Sequence, residues 1–264
     1  MGSRTKLTIA YLGTGFSGWQ YQNRTRTVQG ELERCLRKLT GGPRVVVVGA
    51  SRTDAGVHAT AQVAHIDLPV PIPVGALPRT MNHRLSSDLR VRSAVSVADD
   101  FHAIKSARGK HYSYRVSWSE PELPWHGLRT AGLPGPIDIR ALEGACRFLP
   151  GRRNWASFTI PEVARRSTVR DLFGVELKQR RSGLEFHFFG KGFLRYQVRR
   201  MVGALLEVGH GRMTDTELMD LIDSPRPGAS VPTAPARGLT LERVFYRASS
   251  RLSFPDAKPP RKGS

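Results

Sequence analysis

Apolar and polar positions along the chain follow two rhythms, one of period two and one near 3.6, and the changes between them mark the elements. Leu7-Thr8-Ile9-Ala10-Tyr11-Leu12 predicts a strand, followed by a loop carrying Gly13, Gly15 and Gly18. Val28, Leu32, Cys35, Leu36 and Leu39 recur at helical spacing, with Thr27 placed to cap the helix and Gly41-Gly42-Pro43 to stop it. The β-branched run from Arg44 to Val48 predicts a strand that leads into the loop Gly49 to Ala59, and Gln62 to Leu68 predicts another. After a proline-rich turn, a helix is expected over Val74 to Leu85 and strands near Leu89 to Val97 and His111 to Trp118. Ser119 to Pro136, dense in Pro and Gly, reads as a linker or surface excursion. Beyond it the pattern predicts a helix over Ile139 to Phe148, strands over Val169 to Gln179 and Gly183 to Gly190, and a helix over Phe193 to Val208 ended by Gly209.

This alternation predicts an α+β chain of two similar sub-domains, residues 1–104 and 105–248, with a mainly antiparallel sheet flanked by helices. The polar, basic stretch 249–264 predicts a disordered tail.

Composition changes the picture through charge. The 264 residues carry 41 Lys and Arg against 22 Asp and Glu, a net +19, well beyond what solubility asks for. A large polyanion is the natural partner. A membrane surface is the competing polyanion, but membrane binders gather charge in one amphipathic helix or terminal run. Here arginine is spread along the chain, with pairs at Arg152/Arg153, Arg165/Arg166, Arg180/Arg181 and Arg199/Arg200, which suits a folded surface that follows a phosphate backbone. Cys35 and Cys146 lie in no zinc spacing and read as reduced core thiols. No apolar run approaches the ~18 residues of a membrane span, and Met1 to Thr8 lacks the apolar stretch of a signal peptide, so a cytoplasmic protein is expected.

Two cofactor chemistries are weighed and set aside. Gly13-Thr14-Gly15-Phe16-Ser17-Gly18 is a literal G-x-G-x-x-G after a strand, but Trp19 to Arg26 separate it from the helix that would hold a pyrophosphate, and no P-loop exists in the chain. The H-x-E and P-C-x-x-C of base-modifying zinc deaminases are missing as well. Neither a nucleotide cofactor nor a metal is expected, so chemistry on RNA bases would rest on side chains alone.

Asp54 is the candidate for that chemistry. In a polar loop before Ala55-Gly56, a carboxylate commonly forms an Asx-turn. Against that reading, Asp54 follows a strand that can aim it into a cleft, and it lies two residues from Arg52, whose guanidinium would hold it ionised.

Ser51-Arg52-Thr53-Asp54-Ala55-Gly56-Val57-His58-Ala59 resembles the signature G-R-T-D-A-G-V-H-A of the TruA family of tRNA pseudouridine synthases. The resemblance runs on through Tyr11 to Gln22, Thr27-Val28-Gln29, Phe101-His102-Ala103, Tyr112-x-Tyr114, Phe193 to Gly209 and Ala234-Pro235-Ala236 with Gly238-Leu239. Leu12 stands where the family usually has Asp, Ser51 where it has Gly, Ile104 for Arg and Thr240 for Tyr, all expected to lie outside the chemistry.

The resemblance implies the pseudouridine synthase fold with the active-site cleft between the sub-domains. It implies isomerisation of uridine to pseudouridine in the anticodon stem-loop of tRNA, about positions 38 to 40, by a homodimer. Asp54 becomes the nucleophile or base, by attack at C1′ or C6 or by proton removal at C2′. Arg52 becomes the residue that enters the RNA helix as the uridine leaves, and Tyr112 the ring that stacks on the flipped uracil, its hydroxyl able to help move the C5 proton. On the last predicted helix Leu194, Val198, Met201, Val202 and Leu205 form one stripe, with Arg195 and Arg199 on its border. Arg199 is therefore expected to partner Asp54, with Arg195 nearer RNA. His58 and His102 are expected to be structural. A non-catalytic RNA-binding protein on this scaffold, or the same chemistry on another RNA, stand as alternatives.

Overall fold

The computed structural model describes residues 4–118, 124–133, 135–164 and 167–247. The expected tail over 249–264 and the pair Arg165/Arg166 lie outside them.

In chain order the elements are β1 (Arg4–Tyr11), α1 (Val28–Thr40), β2 (Val48–Gly49), β3 (His58–Asp67), α2 (Leu77–Asn82), β4 (Leu89–Ser96) and β5 (Gly109–Ser117). There follow α3 (Pro124–Gly127), β6 (Ala131–Gly132), α4 (Ile139–Cys146), β7 (Gly151–Asn154), α5 (Pro161–Ala164), β8 (Val169–Arg180), β9 (Gly183–Gly190), α6 (Gln197–Gly209), α7 (Asp215–Asp223) and β10 (Leu239–Phe245). The fold is α+β. Its strands form one sheet in the order β4-β1-β3-β10-β5-β9-β8-β7, with β2 beside β3 and β6 beside β5. Neighbours are antiparallel except β10 with β3 and β6 with β5.

The strand β10, last in sequence among the described elements, lies in the middle of this sheet. Its Thr240 pairs with His58 of β3 on one side and Ser113 of β5 on the other. It therefore joins the strands β1 to β4 to the set β5, β7, β8 and β9. Because side chains alternate along β5, Lys110, Tyr112 and Tyr114 share one face, and His111, Ser113 and Arg115 the other. That second face is held by polar contacts, among them Arg115 to Glu185 at 2.8 Å and Ser113 to Glu242 at 2.7 Å.

Several elements differ from the sequence-based expectation. Of the run Arg44 to Val48 only Val48 joins the sheet, in β2 with Gly49. The backbone there is threaded against α1, with Val45 and Val47 buried and the Val47 N–H donating to Glu33 Oε1 at 3.1 Å, so a side chain takes the place of a ladder partner. The helix expected over Val74 to Leu85 is a 3-10 turn at Val74–Ala76 followed by the shorter α2, whose Asn82 side chain grips both backbone groups of Val91 at 2.8 Å. The last long helix starts at Gln197, four residues later than expected, because Tyr196 takes a left-handed conformation with φ of 63°. It also runs through Gly209, with His210 as its cap. Strands β6, β7 and β10 and helices α3, α5 and α7 are additions to the sequence-based elements.

Candidate active site

Asp54 sits at the first position of a turn closed by the Val57 N–H on the Asp54 carbonyl at 3.2 Å, with Gly56 at φ of 79° supplying the left-handed residue. The preceding segment is stitched to β3 by a side chain: Gln62 donates to the Ser51 carbonyl at 2.6 Å and accepts from the Ser51 N–H at 3.3 Å. From the other side the loop after β1 clamps it. Trp19 N–H donates to the Thr53 carbonyl at 3.0 Å, Gly56 N–H to the Phe16 carbonyl at 3.3 Å, and the Tyr11 hydroxyl meets Thr53 Oγ1 at 2.9 Å. Two glycines of the G-x-G-x-x-G stretch explain themselves here. A Cβ on Gly13 would lie 2.1 Å from the Val57 carbonyl oxygen, and Gly18, at φ of 91°, would put one 2.8 Å from the Thr53 carbonyl oxygen. They let two backbones touch and so hold the Asp54 loop.

The Asp54 carboxylate is mostly buried. Among the described residues its hydrogen-bond partner is Arg199, whose Nη1 lies 3.4 Å from Oδ2, and both side chains are largely buried. Arg199 is fixed in turn by its Nε, which donates to the Ala234 carbonyl at 2.8 Å, and by the Tyr196 ring below its guanidinium. Burial raises the Asp54 pKa above the usual carboxylate value, and Arg199 and then Arg195 oppose the rise without cancelling it. This corrects the expectation that a neighbouring guanidinium holds the group ionised with ease. Arg52, cast in that part, is exposed and makes no hydrogen bond or ion pair to a described residue.

Tyr112 is buried on the same face, packed edge-on against the Phe193 ring at 5.3 Å. Its hydroxyl lies 2.7 Å from Ser51 Oγ. Burial pushes the phenol up to about 12, against the pull of the Ser51 hydrogen bond, and the Asp54 charge adds to the rise. Ser51, placed outside the chemistry by its departure from the family pattern, is thus in contact with the site tyrosine. Lys110 completes the cluster, donating to Ser51 Oγ at 3.4 Å.

The structure pairs Asp54 with Arg199 and sets Tyr112 close enough to feel the Asp54 charge, while Arg52 and Arg195 are exposed. Arg195 precedes α6 rather than riding on it, stacking 4.9 Å over the Tyr196 ring. His58 is tied between the Gly13 N–H, accepted by Nδ1 at 3.0 Å, and the Arg237 carbonyl, 3.1 Å from Nε2. His102 accepts from the Ile104 and Lys105 N–H groups in its own turn. Parts of the arginine pairs serve the fold: Arg153 holds Asp223 at 2.8 Å, Arg180 holds Glu185 at 3.1 Å and Arg200 donates to the Thr159 carbonyl at 2.8 Å. Leu12 lines a cleft with Arg90, Arg92 and Arg129, Ile104 is exposed, and Thr240 is buried in β10. Sequence reasoning missed Lys110 and Tyr11. The one signal for Lys110 was its period-two spacing from Tyr112. Among the described residues no group of three His, Cys, Asp or Glu side chains is placed to hold a metal, and no helix is long and apolar enough to cross a membrane.

A family model described as tRNA pseudouridine synthase matches residues 7–104 and 145–247. The tRNA pseudouridine synthase A of Geobacillus kaustophilus is 39% identical over 254 residues, covering 93% of this chain and 95% of its own. That of Latilactobacillus sakei is 37% identical over 249 residues, covering 94% and 100%. That of Limosilactobacillus fermentum is 40% identical over 247 residues, covering 92% and 96%.

Proposed function

The chain belongs to the tRNA pseudouridine synthase family, and from that premise we propose that its pocket isomerises uridine to pseudouridine in tRNA with Asp54 as nucleophile or base. The observation that carries the assignment is the buried Asp54–Arg199 pair beside Tyr112 in a protein of net charge +19. A pure RNA binder has no use for a carboxylate that faces phosphates and is raised in pKa by burial.

In the reaction the N1–C1′ bond of the uridine breaks, the detached uracil turns, and C5 bonds to C1′. C5 then gives up a proton and N1 gains one, so no electron sink or group donor is needed. Asp54 acts as a carboxylate at C1′, C6 or the C2′ proton, held in one orientation by Arg199. Tyr112 stacks on the flipped base and its hydroxyl serves the C5 proton. Arg52, exposed at the lip two residues from Asp54, fills the gap that the uridine leaves, which offsets part of the few kcal/mol that flipping costs. Arg195 contacts the RNA backbone nearby.

The finer assignment is a uridine of the anticodon stem-loop, about positions 38 to 40, bound in a cleft between the sub-domains 1–104 and 105–248 of a cytoplasmic homodimer. The decisive experiment is tritium release from unmodified tRNA labelled at uridine C5, with chelator present. The wild type should release tritium and Asp54→Ala should release none while still binding tRNA. Tight binding by a wild type that releases nothing from several tRNAs would replace this function with RNA binding alone.

A further inference from the structure

One charged group in the pocket has no task in the reaction as described. Lys110 lies two residues before Tyr112 on β5 and so shares its face. Its Nζ is 3.4 Å from Ser51 Oγ, and Ser51 Oγ is 2.7 Å from the Tyr112 hydroxyl. Three polar groups, two on β5 and one in the loop before β3, thus form a chain that ends at the site tyrosine.

We propose that Lys110 and Ser51 are positioning residues that set the direction of the Tyr112 hydroxyl, making it an acceptor for the C5 proton when Lys110 is neutral. The proposal rests on the assignment of uridine isomerisation to this site.

The argument is one of hydrogen counting. An ammonium offers donors and no lone pair, so a charged Lys110 obliges Ser51 Oγ to accept from it. The Tyr112 oxygen is then the acceptor left among the Ser51 Oγ contacts for the single Ser51 hydrogen, and the Tyr112 hydrogen points away from Ser51, free for the uracil. A neutral amine has a lone pair. Ser51 then donates to Lys110 and accepts from Tyr112, whose remaining oxygen lone pair faces the uracil. In the step itself the C5–H bond breaks and its proton goes to the Tyr112 oxygen. The Tyr112 proton passes to Ser51 and the Ser51 proton to Lys110 Nζ. The electron pair of the broken bond restores the C5–C6 double bond, N1 takes up a proton in place of its lost bond to C1′, and Lys110 returns its proton to solvent. No net proton is consumed.

The setting of Lys110 suits this use. Burial, with Arg170 of β8 adding to it, brings its pKa down to about 8, so both states are populated in the range where RNA is stable. The other titratable groups that act on this cluster are Asp54, itself paired with Arg199, and Tyr11 of β1. Tyr11 is raised out of reach by burial.

The test compares wild type, Ser51→Ala and Lys110→Met in single turnovers on unmodified tRNA carrying 5-protio or 5-deuterio uridine, from pH 6 to 9.5. The Ser51 hydroxyl takes no part in the backbone bonds to Gln62, so Ser51→Ala keeps the loop in place. The wild-type rate should rise through about pH 8. Both variants should lose that rise, run about 10- to 100-fold slower at pH 9 and show an enlarged deuterium isotope effect at C5, with tRNA affinity unchanged. An active wild type with a flat profile, or a Ser51→Ala variant with the wild-type profile and isotope effect, overturns the relay alone. A wild type that forms no pseudouridine overturns the reaction assignment and the relay with it.

Discussion

Arg199 meets Asp54 at 3.4 Å across 145 residues of sequence while its Nε is committed to the Ala234 carbonyl. The guanidinium is therefore a fixed counter-charge that cannot follow the carboxylate, and it limits a pKa that burial has already raised. Activity that needs ionised Asp54 is lost as pH falls through that raised value. Removing Arg199 raises it further. Arg199→Ala should shift the acid limb of kcat upward and lower turnover at neutral pH by about 100-fold or more. Arg199→Lys should recover little, since an ammonium cannot serve Ala234 and Asp54 with the same fixed geometry. An acid limb that stays in place would show that Asp54 does not depend on this partner.

Arg52 supports no other described residue, so its replacement should leave the fold alone. Arg52→Ala is expected to change stability by no more than about 0.5 kcal/mol. Turnover should fall by about tenfold or more, beyond any loss of tRNA affinity. Equal loss in both, measured by filter binding beside tritium release, would reduce Arg52 to a phosphate contact.

His58 links the loop after β1 to the segment before β10, and burial presses its pKa down to about 4 from the ordinary 6.5. The unfolded chain takes up a proton below pH 6.5 that the folded chain refuses. Stability from this group is complete above that pH and falls by about 3 kcal/mol as pH drops toward 4. His58→Gln removes the titration, so its urea-unfolding stability should change less with pH across that window than the wild type's. Parallel curves would rule out His58 as the source.

A methyl group on Gly13 would collide with the Val57 carbonyl and push the Asp54 loop away from its clamp. Gly13→Ala should cost about 2 to 4 kcal/mol in chemical unfolding and most of the activity. Gly75, where an added Cβ meets nothing within 4 Å, is the matched control and should tolerate alanine.

How much of this was legible in the sequence depends on how local each cause is. The strand before Gly13, the helix capped by Thr27 and the paired run Val169 to Gln179 and Gly183 to Gly190 follow from spacing alone, and the structure has them within a few residues. Strand β10 escaped because a register shift between Leu241 and Arg243 breaks its alternation and its partners lie far away in the chain. Helix α7 carried a readable capping box in Thr214 and Glu217 that went unused. The start of α6 was hidden in the left-handed backbone of Tyr196, which no period reports. Within the site, Asp54 and Tyr112 stood in motifs and Arg199 on a helix face. The role of Ser51 was invisible because Tyr112 is 61 residues away, and the raised Asp54 pKa because burial is a property of the folded state.

The central place of β10 has a consequence for the nascent protein. Translation delivers β3 and β5 long before the strand that must lie between them, so both wait with unpaired edges, and exposed edges invite pairing with other chains. The pocket itself waits too, since Arg199 is anchored on Ala234, just ahead of that strand. A chain stopped before Ala234 would hold Asp54, Tyr112 and Arg199 in its sequence and still lack the carbonyl that fixes Arg199.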